Sequence, residues 1–578
     1  MVDANEPKKL PSANKLDQMN QTKQVIRVSS QTTLADLLQK FLAADQDLVF
    51  IDENTVITQP HLELLTDFPR GASAALVGKE TDFADTQVSR NSVVSASSSS
   101  HTVTNPNRVF TGALYLSQKQ RVEIEKAVAE AIASGATGHA LDLVLVALVR
   151  ATIRVDAVEL LEAPFSRSSE APKKEQTAKQ IQKLSIPRLR LKLANRANDG
   201  FFSVYVLRRF SKLLTWVAVK IGATPNQVTI ASFAIGLYAA YLFAQGDFWS
   251  ILVGAVLLQV SIIVDCVDGE LARYTRKFSE LGAWLDAITD RVKEYAVFLG
   301  LAYGAFVQNG QNLWLLAALL MTLQTFRHLS DYNFSQVVKA RYEDSVPVPV
   351  NFMASWDGIE ADNTPAPEGL AANYNFQRAK FWAGKIITFP IGERWLAISL
   401  TAAIGGAMFT FTAMPILALI SMALVYRVRI AKSLQMAKAR IKSLVIIRQF
   451  DLGWAQKSIS MRFDWLEPSL LRAVELGAII ALFASTGHLE GSLGVAGFVT
   501  LFSIAFHHYD NLYRSMQNEQ KPKWLTVLGL SVPGRIALLV LATTLSWNLT
   551  LIAAYFSVLF LVASSFQWVV SHRARSSS

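Results

Sequence analysis

The sequence predicts a polytopic α-helical membrane protein with about ten spans, preceded by a cytosolic α/β domain of Rossmann-like type. Three observations carry that prediction. Hydrophobic residues make up 51% of the 578-residue chain, and mean hydropathy is +0.26, more apolar than an ordinary soluble protein. The excess is uneven: roughly the first 200 residues are polar and mixed, whereas the remainder carries runs of about the 20 residues that a bilayer crossing needs. Inside the polar part, short apolar runs alternate with segments of helical period.

Taken in order, residues 25–30, 47–52 and 73–77 read as short buried strands, 34–42 and 121–133 as helices, and 109–116 as a return to strand. Strand–helix alternation is the ground for a Rossmann-like sheet within residues 1–165. Asp52, in the turn-like run Asp52-Glu53-Asn54, reads as a surface turn. Residues 166–198 read as a linker, flexible through the polar stretch up to Pro187. The N-terminus lacks the apolar core of a signal peptide, so this part is expected in the cytoplasm. Cys266 is the single cysteine, which excludes an intrachain disulfide and gives no sign of zinc.

Apolar runs place spans near 226–244, 249–269, 282–306, 312–332, 386–408, 412–428, 468–486, 491–508, 526–546 and 549–570. Loops on one side lack Lys and Arg, while the other side holds Arg188–Arg196, the stretch after Arg427, Lys521 and Lys523, and the basic C-terminal tail. The positive-inside rule makes that second side cytoplasmic, with both termini. The net charge of +10 then serves topology and attraction to anionic lipid. Nucleic acid is not an expected partner, because the basic residues flank spans and form no aromatic-interleaved stripe. Residues 199–220 mix apolar residues with Arg208, Arg209, Lys212 and Lys220, as in a helix lying in the membrane interface with its basic face among headgroups. The polar segment 333–385 falls between the fourth and fifth spans and is expected to cover part of the site. His507 and His508 read as interfacial.

Four aspartates, Asp265, Asp268, Asp286 and Asp290, lie within one short stretch at the cytoplasmic ends of the second and third spans. Carboxylates at membrane depth are costly and persist where they face a protein interior and bind something. Steps of three and four residues put Asp265 with Asp268 on one helix face, and Gly282 with Asp286 and Asp290 on another. The polar break at Arg276, Lys277, Ser279 and Glu280 lets the chain turn and bring the two pairs together. Clustered carboxylates repel unless cations neutralise them, and Mg²⁺ suits an all-oxygen set completed by water and substrate phosphates. The competing class is an ion- or proton-coupled transporter, which would hold its carboxylates nearer the bilayer midplane.

The pattern Asp265-x2-Asp268-Gly269-x2-Ala272-Arg273-x8-Gly282-x3-Asp286-x3-Asp290 resembles the signature of the CDP-alcohol phosphotransferases. Eight fixed positions arise by chance on the order of 10⁻¹⁰ per starting residue. The resemblance implies transfer of a substituted phosphate from a CDP-alcohol, such as CDP-diacylglycerol or a CDP-polyol, to an acceptor hydroxyl with release of CMP. It implies a six-helix core, so that residues 199–432 form the transferase domain and the last four spans, in 433–578, an extension. Asp265, Asp268, Asp286 and Asp290 would hold Mg²⁺ or Mn²⁺, two ions in number, with Asp290 also the general base. Asn226, Thr229, Asp268, Gly269, Ala272, Arg273, Ser279 and Gly282 would bind the CDP-alcohol. Thr229 equally suits a bond to its own backbone. Lys385, Arg394 and Arg427 are the candidates for an anionic acceptor, with Arg427 equally suited to anchoring at the interface and Glu393 beside Arg394. The N-terminal domain resembles a shortened nucleotidyltransferase that lacks the Gly-rich phosphate loop, which implies that it is inactive. Membrane lipids and a second copy of the chain, as a homodimer, complete the expected partners.

Overall fold

The computed structural model describes residues 25–66, 72–79, 84–89, 91–99, 101–103, 105–161, 163–195, 200–344, 382–435, 463, 465–516 and 521–576. The described residues fall into two compact units, those within 25–190 with 342–344, and those within 191–341 and 382–576.

The first unit is a mixed sheet in the order β1-β2-β7-β4-β8-β6-β5. Its strands are β1 Val25–Val28, β2 Leu48–Asp52, β4 Ser73–Gly78, β5 Thr86–Ser89, β6 Ser92–Ala96, β7 Val109–Leu116 and β8 Val155–Glu159, while β3 Thr55–Val56 pairs with β9 Ser166–Arg167. Helices α1 Leu34–Leu42, α2 Gln59–Thr66, α3 Arg121–Ala133 and α4 Ala140–Arg150 accompany it. Every strand and helix expected from the apolar runs forms. The sheet, however, is not wound in parallel throughout: β7 lies antiparallel between β2 and β4. The segment that leads into it from β6, residues 97–108, holds no helix among its described residues. Helix α1 starts at a capping box in which Thr33 and Asp36 satisfy each other's backbone N–H groups.

Two expectations for this unit are corrected. Residues 166–198 are no structureless linker, since α5 Ala171–Gln182 and α6 Ile186–Ala194 form there. Asp52 is no surface turn: it is 3% exposed and accepts hydrogen bonds from Arg167 Nε and Asn54 N, both at 2.8 Å. Arg167 also grips Asp142 with two nitrogens, and Gly112 (φ 81°) leaves the room that Arg167 and Asp52 fill. Burial alone would raise the Asp52 pKa, but the Asn54 amide and the Arg167 guanidinium outweigh it and hold the carboxyl below its usual value.

The second unit is helical: α7 Arg208–Lys220, α8 Pro225–Gln245, α9 Phe248–Thr275, α10 Glu280–Asn309, α11 Trp314–Asp344, α12 Ile391–Gln435, α13 Glu467–Ser485, α14 Leu493–Met516, α15 Lys523–Leu528, α16 Val532–Thr544, α17 Leu549–Phe556 and, after a π-helical stretch, α18 Ser564–Ser576. The ten expected spans fall largely on helix, the fifth interrupted at residues 388–390 and the ninth split between α15 and α16 at 529–531. Five helices among the described residues are long and apolar enough to cross a membrane: 225–245, 248–275, 391–434, 467–485 and 549–572. The fifth and sixth expected spans are the two arms of α12, which breaks at Gly406 (φ 67°, ψ −161°). Helices α10, α11 and α14 fall short on composition because they carry buried polar and charged residues, Lys293 and Glu294 on α10, Gln324 and Arg327 on α11, His508 and Asp510 on α14, and α16 because it is short. Residues 345–381, most of the segment expected to cover the site, lie outside the described residues.

Helix α7 departs from expectation at one of its four basic residues: Arg209 and Lys220 are exposed and Lys212 half-buried, but Arg208 turns inward. Its polar and small residues, Arg208, Ser211, Thr215 and Ala218, are buried, and the first three converge on the buried Glu270 of α9 at 2.8, 2.7 and 2.6 Å. Phe210, Leu213, Leu214, Trp216 and Val217 face outward. A helix that hydrogen-bonds inward and is apolar outward suits a lipid interface.

Candidate active site

Three helices set the site. Helix α8 begins at a capping box, with Thr224 as N-cap, Pro225 in the first turn and Gln227 returning a bond. Helix α9 ends at Arg276, which takes the left-handed conformation (φ 59°), and α10 starts three residues later with the Ser279 hydroxyl accepting from Gly282 N at 2.9 Å. The turn predicted at the polar break therefore reverses the chain and lays the two aspartate stripes side by side. Small residues let the helices close in: a Cβ on Gly300 would run into the Ala240 carbonyl, and one on Gly304 into that of Phe243. Between α8 and α9, Ser232 and Ser261 exchange hydroxyl-to-carbonyl bonds at 3.0 and 2.8 Å.

Asp265, Asp286 and Asp290 each present a carboxylate oxygen within 4.8 Å of the others. Asp268 lies outside that trio, 6% exposed, where Oδ2 accepts from Thr229 Oγ1 at 2.5 Å. Thr229 also meets the Pro225 carbonyl at 3.2 Å, the bond to its own backbone that was the alternative foreseen for it. On the other side of α10's first turn, Gly282 leaves space that Ser279 Oγ and Asn226 Oδ1 occupy: a Cβ there would sit 2.8 and 2.9 Å from them. Gly269 faces the Arg273 guanidinium, and Arg273 Nε donates to the Ala194 carbonyl. Asn226, Ser279 and Gly282 thus come together, as do Gly269 with Arg273 and Thr229 with Asp268.

These residues fit a hard divalent cation. The donors are all carboxylate oxygens, from three side chains that would repel one another without a cation between them. Sequence reasoning missed the cation that is already present. Lys293, fully buried on α10, donates to Asp265 Oδ1 at 2.6 Å and Ser232 Oγ at 2.9 Å, and its Nζ stands 3.1 Å from Asp290 Oδ1. Its position three residues after Asp290 is the signal that pointed to the same helix face.

A second polar cluster lies beside the first. The fully buried Glu294 takes two bonds from Arg394, 2.6 and 3.0 Å, and one from Arg291 at 3.3 Å. Arg291 also reaches His328, which meets Tyr509. This corrects Arg394 as an acceptor ligand: the guanidinium is 2% exposed and committed to Glu294. Its neighbour Glu393 instead accepts from Phe202 N. Lys385 is half-buried and Arg427 exposed, and Arg429 pairs with Asp331.

The C-terminal helices carry further buried pairs. Glu475 accepts from Arg535 at 2.7 Å and meets His508 at 2.9 Å, and Asp510 takes bonds from Arg514, Ser564 and Trp568. His507 and His508 are not interfacial. Both are buried within α14, His507 against the Phe560 ring with centroids 4.0 Å apart.

Residues 222–355 match the CDP-alcohol phosphatidyltransferase family, and residues 395–577 match a family of unknown function (DUF5941). Among curated relatives, an archaetidylinositol phosphate synthase of Pyrococcus horikoshii is 39% identical over 102 residues, 18% of this chain and 50% of that protein. A phosphatidylinositol phosphate synthase of Mycolicibacterium smegmatis is 33% identical over 150 residues, 25% and 63%. A bifunctional IPC transferase and DIPP synthase of Aquifex aeolicus is 33% identical over 121 residues, 21% and 27%. The chain therefore spans between about a quarter and two thirds of the length of these relatives. A solved inositol-1-phosphate CTP transferase from T. maritima covers 29% of this chain and 81% of its own at a TM-score of 0.23 and 11% identity, too slight a likeness to build on. None of these matches lends support to a transporter. The aspartate signature lies wholly within the segment, residues 222–355, that matches the CDP-alcohol phosphatidyltransferase family.

Proposed function

We propose that the chain transfers a substituted phosphate from a CDP-alcohol, CDP-diacylglycerol or a CDP-polyol, to the hydroxyl of an anionic acceptor and releases CMP. The observation that carries the reading is the meeting of Asp265, Asp286 and Asp290 from two helices within 4.8 Å, at the end of the unit where Asn226, Ser279 and Gly282 also converge. Asp265, Asp268 and Asp286 would hold Mg²⁺, or Mn²⁺ in its place, which when bound neutralises charge on the diphosphate and the departing CMP. Asn226, Thr229, Gly269, Ala272, Arg273, Ser279 and Gly282 hold the donor, the glycines by letting its phosphates come close to backbone. Asp290 takes the proton of the acceptor hydroxyl. The acceptor oxygen bonds to the alcohol-bearing phosphorus, the bond from that phosphorus to the bridging oxygen breaks, and CMP leaves with the electron pair, inverting the phosphorus. Lys385 and Arg427 remain as the cations for an anionic acceptor, a reading favoured by the inositol phosphate products named for the relatives. The site and both termini then face the cytoplasm, in keeping with the distribution of Lys and Arg, and a homodimer is the proposed assembly.

The test is incubation of purified protein with CDP-diacylglycerol and a panel of alcohols and alcohol phosphates, scored by CMP release. The expected result is CMP release with a phosphorylated polyol. Absence of CMP with every donor and acceptor pair would overturn the proposal.

A further inference from the structure

We infer that the C-terminal helices belong to the catalytic apparatus: Tyr509 of α14 is a positioning residue for Asp290, acting through His328 and Arg291. The inference rests on the reading of Asp290 as the base that takes the acceptor's proton.

The C-terminal helices meet α10 on the side away from the aspartates. At 3.6 residues per turn, Trp284 and Tyr295 fall on the far face of α10 from Asp286 and Asp290, with Arg291 between the two faces. Trp284 stacks on Trp568 of α18, and the Tyr295 hydroxyl meets that of Tyr509. The rotation of α10 that aims Asp290 at the other carboxylates is therefore held from behind.

One run of polar groups carries that hold to the residue beside Asp290. Arg291, Tyr295, Thr325, His328 and Tyr509 are all buried, none more than 7% exposed, and the direction of their hydrogen bonds is fixed from one end. Thr325 donates its single hydroxyl proton to the Met321 carbonyl at 2.8 Å, so its oxygen accepts from Tyr295, also at 2.8 Å. Tyr295 accepts in turn from Tyr509 at 3.1 Å. Tyr509, its own proton already placed, accepts from His328 Nδ1 at 3.0 Å. His328 thus holds its proton on Nδ1 and keeps a lone pair on Nε2. Arg291 Nη1 stands 2.9 Å from Nδ1 and 3.0 Å from Nε2; a guanidinium only donates, so Nε2 is its acceptor. Without the Tyr509 oxygen nothing keeps the proton on Nδ1, and the two ring nitrogens become equivalent acceptors for Arg291. Arg291 follows Asp290 directly on the helix, so two arrangements of the one loosen the other. Misplacing a reacting group by about 1 Å costs about 10²-fold in rate, and a partial loosening is expected to cost about tenfold.

The experiment uses the full chain in detergent, with CDP-diacylglycerol as donor and, as acceptor, the member of the alcohol and alcohol phosphate panel that turns over fastest. Tyr509→Phe keeps the ring and removes only the hydroxyl. It is expected to lower kcat about tenfold while the KM for CDP-diacylglycerol stays within about twofold. His328→Ala is expected to lower kcat as well, and Tyr509→Phe added to it to lower kcat no further, because the effect passes through His328. An unchanged kcat in Tyr509→Phe, or losses that multiply in the double variant, would overturn the inference. Nitrogen NMR of the histidine-labelled chain, with the His328 signals identified by their absence from His328→Ala, is expected to show the proton on Nδ1 in wild type and shared between both nitrogens in Tyr509→Phe. A wild-type proton on Nε2 would overturn the inference even where a variant fails to fold. No CMP release by wild type with any acceptor would overturn the transferase reading itself, and the positioning role with it.

Discussion

Substitution of Arg394 separates two roles that its sequence position left open. In the structure it bonds Glu294 through Nε and Nη2 at 2.6 and 3.0 Å, with both side chains essentially unexposed. Arg394→Met keeps the volume and strands part of a buried carboxylate, for which about 3–5 kcal/mol is the usual cost. Arg291 still reaches Glu294 at 3.3 Å, so the lower figure, about 3 kcal/mol, is expected. Glu294→Gln strands two guanidinium groups and belongs at the upper end, about 5 kcal/mol. For a unit of about 360 residues, at about 2.1 cal/mol/K of unfolding entropy per residue, about 3 kcal/mol corresponds to roughly 4 °C of melting temperature. The double variant Glu294→Leu/Arg394→Met should lose at least about 1 kcal/mol less than the sum of the single losses, because it removes both charges together. Thermal unfolding in detergent measures all of these, and acceptor KM on the folded fraction should stay within about twofold. A wild-type melting temperature for Arg394→Met, together with a raised KM for an alcohol phosphate, would show that Arg394 serves the acceptor and that the ion pair is incidental.

Excess chelator should abolish CMP release and Mg²⁺ should restore it, since the carboxylate trio meets a diphosphate only across a cation; unchanged release would remove the mechanism. Asp290→Asn should lower turnover by about 10²–10⁴-fold while donor binding changes little, whereas Asp265→Asn should lose both; equal donor-binding losses would contradict the separation of base from ligand. In the N-terminal unit, burial lowers the His61 pKa from 6.5 to about 4. The unfolded chain therefore binds more protons than the folded one between those values, and stability falls as pH falls through that window. Between pH 6.5 and 5 the loss is about 2 kcal/mol, and urea midpoints for residues 25–190 at the two pH values should differ accordingly, with His61→Gln flattening the response. Coincident midpoints for the unsubstituted protein would count against a buried neutral His61.

Much of the site was legible because its logic is local. The spacing of Asp265, Asp268, Asp286 and Asp290 is a helix period, and the break at Arg276 to Ser279 is turn chemistry, so both helices and their reversal follow from neighbouring residues. What sequence could not reveal depends on contacts distant along the chain. Arg394 looked available because Glu294 lies 100 residues away, and Asp52 looked like a turn because Arg167 lies 115 residues away. The antiparallel β7 was hidden for a like reason, since strand direction depends on the connection's path and not on the strand's own pattern. Helix α7 was read correctly as amphipathic and wrongly at Arg208, which suggests a wet face until Glu270 is found opposite it. Lys293 alone was within reach, sitting on the face already drawn for Asp290.

The C-terminal helices occupy a flank of α10 that a bare core would leave open. Trp284 stacks on Trp568 with centroids 5.3 Å apart, Tyr295 bonds the Tyr509 hydroxyl at 3.1 Å, and on α11 Tyr332 does the same with Tyr513 at 2.8 Å. Because both sides of these contacts belong to one polypeptide, they form at any protein concentration and survive dilution. The flank is consequently closed to other molecules, and any self-association of this chain has to find a different surface.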